Sequence, residues 1–418
     1  MVISSVLDNG VRIVTETMPG IRSVSLGVWV NAGSRQDPTD QTGIAHFTEH
    51  MMFKGTPQRS ASQIAREIDA LGGLMNAQTA KEYTVYYVKV LDEYLEKAGD
   101  ILFDLFLHSS IDPEELEKEK RVVLQEIGMT EDTPDDYITD LFAEAFFDKS
   151  SLGTSILGSA NSVSAFKREH VTGFIDKYYV PADIVISAVG NVDHSRLVDL
   201  IARRFDNLGT ASRDSSVDNP PPARGSTKFY YKDIEQVHIT LGAAGAGMND
   251  ERRWTYIVLN TMLGGSMSSM LFQEAREKLG LVYSIYSYMS SYRDRGVLAM
   301  YAASTPDTIH KTLEVIGTQM KRLKAGDLNG ESIEDIKTQI KGNLLLSRES
   351  TISRMSSLAK NEMYYNREVS VDEVLEKIQA VSLEDIISLA NDIFVPDQLT
   401  LVCLGKMKQD QLSIEELF

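Results

Sequence analysis

Two distant stretches of this chain are near copies: "YYVPADIVISAVGN" at 178–191 and "IFVPDQLTLVCLGK" at 393–406. Val180-Pro181 and Val395-Pro396 stand 215 apart, and so do Gly190 and Gly405. The same offset lays "SVSLGVWVNAG" (23–33) on "HITLGAAGAGM" (238–248), with Gly27 on Gly242, and "TVYYVKV" (84–90) on "AMYAAST" (299–305). An offset held across gaps this long predicts one domain written twice. A length of 418 residues agrees, being long for a single core.

The boundary between the copies is legible. "GTASRDSSVDNPPPARGS", 209–226, is rich in Ser, Asp, Pro and Gly and lacks apolar periodicity, so it reads as a linker. This sets the expected domains at 1–208 and 227–418. Within the first copy, "VRIVTE" and "SVSLGVWV" alternate like strands. "SASQIAREIDALGG" spaces Ile64, Ile68 and Leu71 for a helix that ends on glycines. "GLMNAQTAKEYTVYYVKV" reads as two strands and a turn. "DEYLEKAGDILFDLFLHS" returns to helix, with Tyr94, Leu95, Ala98, Ile101, Leu102 and Leu105 facing inward. Strands come in pairs and helices in runs. The expected fold class is therefore α+β: two homologous domains, each a mostly antiparallel or mixed sheet covered by helices.

Composition excludes some functions. A formal net charge of −18 disfavours nucleic acid, because phosphate binding needs clustered Lys and Arg. No apolar run reaches the length of a membrane span; "ILFDLFL" at 101–107 is short and broken by Asp104. The N-terminus carries neither secretory nor transit-peptide signals. The single cysteine, Cys403 in "LTLVCLG", rules out an internal disulfide and reads as a small buried hydrophobe.

Chemistry concentrates in "TGIAHFTEHMMFKGTP", 42–57. Ile44, Phe47 and Met51 repeat at helical spacing, Thr42 can cap the start, and Gly55 and Pro57 can end it. His46 and His50, four apart, then share one face, with Glu49 beside them. This is the order H-x-x-E-H. By spacing alone the pair reads either as metal ligands or as two polar residues on a wet face. A catalytic zinc needs three protein ligands, and none of the other five histidines stands at ligand spacing. A carboxylate must complete the set. "DPEELEKEKRVVLQEIGMTED", 112–132, opens with Asp112 as cap and Pro113 at the first helical position. It places Glu119 and Glu126 two turns apart on one face. Glu126 sits among apolar neighbours, where a lone carboxylate is costly unless it binds a cation.

"HFTEH" followed by Glu119 and Glu126, "LDNGVRIV", "LGGLMNAQTAKEYTVYY", "LFQEAREKLGLVYS" and the paired "VP…GN" strands resemble the pitrilysin-type (M16) inverted-zincin metallopeptidases. The likeness runs nearly end to end. It is strongest to the branch of mitochondrial processing peptidase β subunits and their bacterial relatives. The resemblance implies a zinc metalloendopeptidase with one Zn2+ per chain held by His46, His50 and Glu126, with Glu49 as general base and Glu119 as a supporting carboxylate. It implies that Asn76 lies beside an edge strand that receives the peptide as an added strand. It gives Arg276 and Tyr283 the role of gripping the scissile segment, and Asp136 and Asp140 that of accepting a basic residue near the cleavage point. The second copy keeps no ligands, since 215 added to His46 and His50 lands on Thr261 and Gly265.

The expected function follows: cleavage of short, extended, basic peptides or presequence-like segments in a closed chamber, by water that the metal activates. The alternative is a non-catalytic core or assistant subunit of the same family. The chain supplies half of a four-domain shell, so a homodimer is expected, one chain's zinc facing the other's Arg276 and Tyr283, with a heterodimer as the competing arrangement. The expected compartment is bacterial cytoplasm, or the mitochondrial matrix in a eukaryote.

Overall fold

A computed structural model describes residues 1–148, 150–209, 225–328, 332–407 and 412–417. The first half of the chain forms β1 (Val2–Val6), β2 (Arg12–Thr17), β3 (Ser23–Val30), α1 (Ile44–Met52), α2 (Ala61–Ala70), β4 (Leu74–Thr79), β5 (Thr84–Leu91), α3 (Leu95–His108), α4 (Pro113–Asp132), α5 (Pro134–Phe147), α6 (Ala160–Ala165), α7 (Arg168–Tyr178), β6 (Ile184–Gly190) and α8 (His194–Phe205). The second half forms β7 (Ser226–Tyr231), β8 (Val237–Gly245), α9 (Arg253–Leu263), a π-helical turn Phe272–Lys278, β9 (Val282–Ser291), β10 (Gly296–Ser304), α10 (Ile309–Ala325), α11 (Ile333–Ser347), α12 (Thr351–Tyr365), α13 (Val371–Ala380), α14 (Leu383–Ile393) and β11 (Thr400–Gly405). Residues 210–224 of the expected linker lie outside the described residues.

The two sheets run β1-β2-β6-β3-β5-β4 and β7-β11-β8-β10-β9. Apart from the extra β1, the order is the same. Each sheet has one parallel pair, β2 with β6 and β7 with β11, among antiparallel neighbours. The α+β class and the duplication are thus the observed architecture. Strand alternation decides the layers. Val24, Leu26, Val28 and Val30 of β3 join Phe47 and Met51 of α1 and Leu102 and Phe106 of α3 in one core. Ser25, Gly27 and Trp29 face the other side. The helix expected at 92–109 begins later than its apolar spacing suggested: Asp92–Tyr94 is a short 3-10 turn, and Tyr94 is exposed.

The constant offset of 215 needs correcting. It holds between β6 and β11, where Gly190 and Gly405 both adopt φ near +140°. Against those strands, Gly27 stands opposite Ser187, whereas Gly242 stands opposite Thr400. The counterpart of Ser187 is Val402, which faces Thr240. β8 has therefore slid by two residues, and a slip of two leaves every side chain on its original face. Likewise Tyr301 lies on the side of its own sheet that its borrowed helix covers, as Tyr87 does in the first sheet, whereas Tyr86, its partner at 215, lies on the opposite side.

The compact units also depart from 1–208 and 227–418. The first contains β1–β6 with α1–α4, α6–α8 and α12; the second contains β7–β11 with α9–α11, α13, α14 and α5. Each half of the sequence lends one helix to the other's sheet. In the first unit Met355, Leu358, Ala359 and Met363 of α12 cover Val14, Trp29, Val85 and Val185. Ser25 hydrogen-bonds Thr351 at 2.8 Å and Glu16 pairs with Arg354 at 2.5 Å. In the second unit Ile138, Phe142 and Phe146 of α5 cover Ala299, Tyr301 and Val402. A linear reading misses this, because an amphipathic helix does not state which sheet it will cover.

Candidate metal centre

α1 starts from an unusual cap. Gly43 takes φ 90°, and a Cβ there would lie 2.5 Å from the Leu157 carbonyl oxygen. The freed N–H groups of Gly43 and Ala45 donate to the Asp37 carboxylate at 2.7 and 3.1 Å. Asp37, not Thr42, is the side chain that caps this helix; Thr42 donates to Ser162 Oγ at 3.1 Å instead. Ile44, Phe47 and Met51 are wholly buried, which turns His46, Glu49 and His50 away from the core.

The two imidazoles meet with Nε2 atoms 3.2 Å apart. Glu126 Oε2 lies 3.9 Å from His46 Nε2 and 3.6 Å from His50 Nε2. Among the described residues, these three offer donor atoms within 4.8 Å of one another. Ligands at 2.0–2.1 Å from a tetrahedral zinc are separated by about 3.3 Å, so the donor set fits that ion. Burial, with the neighbouring His50 adding, pushes the His46 imidazole down to about 3, which keeps it neutral with a lone pair free.

α4 supplies both glutamates but treats them differently from expectation. Leu116, Val123 and Ile127 point into the core, while Val122 is exposed. Glu126 is 36% exposed, so it is not the dry carboxylate its neighbours suggested. The buried one is Glu119, 4% exposed. Its Oε1 lies 2.7 Å from His50 Nδ1, and its Oε2 pairs with Lys54. Burial opposes the Glu119 charge, yet the bonds from His50 and Lys54 outweigh it and hold the carboxyl below its usual range. Burial likewise opposes charge on His50, and Glu119 with Glu126 reverses the balance. A proton on Nδ1, donated to Glu119, leaves Nε2 facing His46 and Glu126.

Glu49 lies on the same helix face, one residue before His50. Its Oε2 accepts from the Thr79 hydroxyl. Burial lifts the Glu49 carboxyl above the usual range, and bonds from the Thr79 side chain and backbone hold back part of that rise. Thr79 ends β4, the outermost strand of its sheet. Along β4, Leu74, Asn76 and Gln78 are exposed and alternate with half-buried Met75 and Ala77. Asn76 therefore does lie on an edge strand; its Oδ1 accepts from the Ala77 N–H at 2.9 Å. Lys54, Thr79 and Asp37 were not singled out from sequence. The signal for Thr79 was available: it closes "NAQT", three residues after Asn76 on the same strand.

The remaining candidates belong to the second unit. Arg276 sits in the π-helical turn, its guanidinium 4.7 Å from the Phe272 ring and 5.1 Å from the Tyr283 ring. Tyr283, on β9, is 79% exposed. Asp136 and Asp140 lie on α5, which is helical as their shared face required; Asp136 is exposed and Asp140 half-buried. Thr261 returns its hydroxyl to the Ile257 carbonyl at 2.9 Å and Gly265 follows α9, so neither can act as a ligand.

The chain matches known proteins over nearly all its length. Residues 12–160 match the profile of the insulinase peptidase family M16, and residues 165–340 match that of the peptidase M16 inactive domain. An uncharacterized zinc protease of Bacillus subtilis is 42% identical over 389 residues, 93% of this chain and 95% of the relative. One from Streptomyces coelicolor is 39% identical over 415 residues, 97% and 90% of the two chains. Among solved structures, a protease from Helicobacter pylori superposes with a TM-score of 0.90 at 21% identity, covering 97% of this chain and 99% of that one.

Proposed function

The chain belongs to the M16 family of zinc proteases, and from that premise we propose that it is a zinc-dependent endopeptidase acting on short, extended, basic peptides. The observation that carries this reading is the convergence of His46, His50 and Glu126, with Glu49 on the same helix face. These three would hold the zinc. A bound zinc supplies Lewis acidity toward the scissile carbonyl and makes water nucleophilic near neutral pH. The rest falls to the chain. Glu49, on the face of the ligands, takes the proton from water and returns it to the leaving amine. Glu119 fixes the tautomer of His50. β4 is the outermost strand of its sheet, so a peptide adds along its outer edge as a strand and is held by its backbone. Arg276 and Tyr283 provide donors for a carbonyl oxygen that gains charge.

Supporting a basic substrate are the net charge of −18 and the exposed Asp136. In this reading Arg276 and Tyr283 serve the zinc site of a second chain, within a closed chamber formed by a homodimer. Size measurement of the purified protein tests the dimer. The bacterial cytoplasm is the compartment proposed; among the described residues no helix is long and apolar enough to cross a membrane.

The deciding experiment is Glu49→Gln. The expected result is one zinc retained per chain, with hydrolysis of a basic peptide reduced by about 10²–10⁴. Normal cleavage by that variant overturns the assignment. A wild-type protein that binds no zinc and cleaves nothing points to the non-catalytic subunit.

A further inference from the structure

We propose that Lys54 is a positioning residue for the metal centre: it clamps the far oxygen of Glu119, and through Glu119 it holds His50 as a ligand. The inference rests on the metal reading above and adds a residue to it. α1 ends at Met52 and the chain runs on in one tighter turn, with the Lys54 N–H bonded to the Met51 carbonyl at 3.1 Å. This turn sends the Lys54 side chain back toward α4, where its Nζ pairs with Glu119 Oε2. Oε1 of the same carboxylate lies 2.7 Å from His50 Nδ1. Each oxygen of Glu119 therefore has its own cationic or N–H donor, and both donors come from one short segment. The Glu119 side chain is 5% exposed and that of Lys54 24%.

Burial makes the second contact matter. A carboxylate oxygen this enclosed, with no donor, costs more than the group gains by staying in place. Without Lys54, Glu119 swings, and His50 Nδ1–H loses its acceptor. The imidazole is then free to rotate its Nε2 away from His46 and Glu126. Groups that orient a ligand from behind in this way typically affect metal affinity by about 10–100-fold. Lys54 acts one bond further out, so the lower end of that range is expected.

The test is the zinc dissociation constant of the full chain, measured by competition with a chromogenic chelator, for Lys54→Met, Lys54→Arg, Glu119→Gln and the double variant Lys54→Met/Glu119→Gln. Lys54→Met is expected to weaken zinc binding about tenfold. Lys54→Arg, which keeps a cationic donor, is expected to stay within about twofold of wild type. In the Glu119→Gln background the Lys54→Met change is expected to add less than about twofold, because its route to the metal is already cut. Thermal unfolding of the metal-free variants checks that each is folded; if Lys54→Met is not, Lys54→Gln replaces it in the same cycle. Wild-type affinity in Lys54→Met overturns the inference, as does an undiminished loss in the Glu119→Gln background. A wild-type chain that holds no zinc overturns the metal reading itself, a result plainly different from either.

Discussion

The hydroxyl of Thr79 donates to Oε2 of Glu49. The last residue of an edge strand thereby holds the carboxylate beside the paired histidines of α1. In the proposed mechanism, peptide docking on β4 and the placement of the base share one residue. Thr79→Val keeps the branched shape and removes the donor. The expected outcome is kcat lower by about tenfold, part of the 10²–10⁴ that a positioned base contributes, with KM and zinc content unchanged. Thr79→Ser restores most of the rate. Steady-state kinetics with metal analysis checks both, and a change confined to KM counts against this role.

The two glutamates of α4 separate by metal content. Glu126 offers an oxygen to the imidazole pair; Glu119 meets His50 from behind, at Nδ1, and pairs with Lys54. Glu126→Ala is expected to purify with far less than one zinc per chain. Glu119→Gln is expected to keep zinc at saturating metal but to bind it about 10–100-fold more weakly. Chelator treatment should abolish wild-type hydrolysis, and added zinc should restore it. Equal zinc content in the two variants would remove Glu126 from the ligand set.

How far the sequence revealed this site depends on the range of the interactions. His46, Glu49 and His50 lie within one helical turn or so, and periodicity alone put them on one face. Glu126 and Glu119 were legible as a pair on one face of α4, but which was buried was not. That depends on α4's rotation against the core, and the "VVLQ" run divides between inside and outside. Lys54 stands four residues after His50, so the same spacing offered it on that face; what the sequence did not state is that it meets Glu119. The exchange of α5 and α12 was beyond reach for a similar reason: their apolar faces fit either sheet by pattern, and only packing selects one.

Acid sensitivity has a traceable contributor in the second unit. His238 is buried on β8, its Nδ1 2.8 Å from the Tyr301 hydroxyl. Burial lowers its pKa from 6.5, and the charge of Asp135 offsets only part of this. The folded state thus binds this proton less readily than the unfolded chain. The sign follows: the contribution is present above about pH 6.5 and is lost as pH falls from there through the depressed folded value. His238→Gln keeps a polar partner for Tyr301 and is expected to flatten that part of the stability curve. Denaturant unfolding at several pH values, taken as the difference from wild type, checks it.

Arg35 and Glu82 form a buried pair at 2.6 Å, with side chains 0% and 6% exposed. They tie the turn after β3 to the turn between β4 and β5. Glu82 Oε2 also accepts from the Tyr364 hydroxyl of α12 at 3.0 Å. Removing Glu82 takes away the carboxylate that faces the buried Arg35 guanidinium at 2.6 Å. Glu82→Ala is expected to cost about 3–5 kcal/mol in urea unfolding. A loss below about 1 kcal/mol would mean that water reaches Arg35.

The borrowed helices place a demand on glycine as well. A Cβ at Gly242 would stand 2.3 Å from Phe142 Cζ, and one at Gly27 would stand 2.9 Å from Trp29 Nε1 and 3.1 Å from Met355 Sδ. Phe142 is on α5 and Met355 on α12, so each sheet carries a glycine under its borrowed helix. The consequences differ in degree, because the overlap with the Phe142 ring at Gly242 is deeper than that with Trp29 and Met355 at Gly27. Gly242→Ala is therefore expected to destabilise by about 1–3 kcal/mol, and Gly27→Ala by less. Phe142→Ala is expected to cost about 3–5 kcal/mol through the cavity it leaves. Combining Gly242→Ala with Phe142→Leu should recover part of the sum, since the smaller side chain makes room for the new methyl. Strict additivity in that cycle would show that α5 shifts as a body over the sheet, not that one ring meets one Cβ.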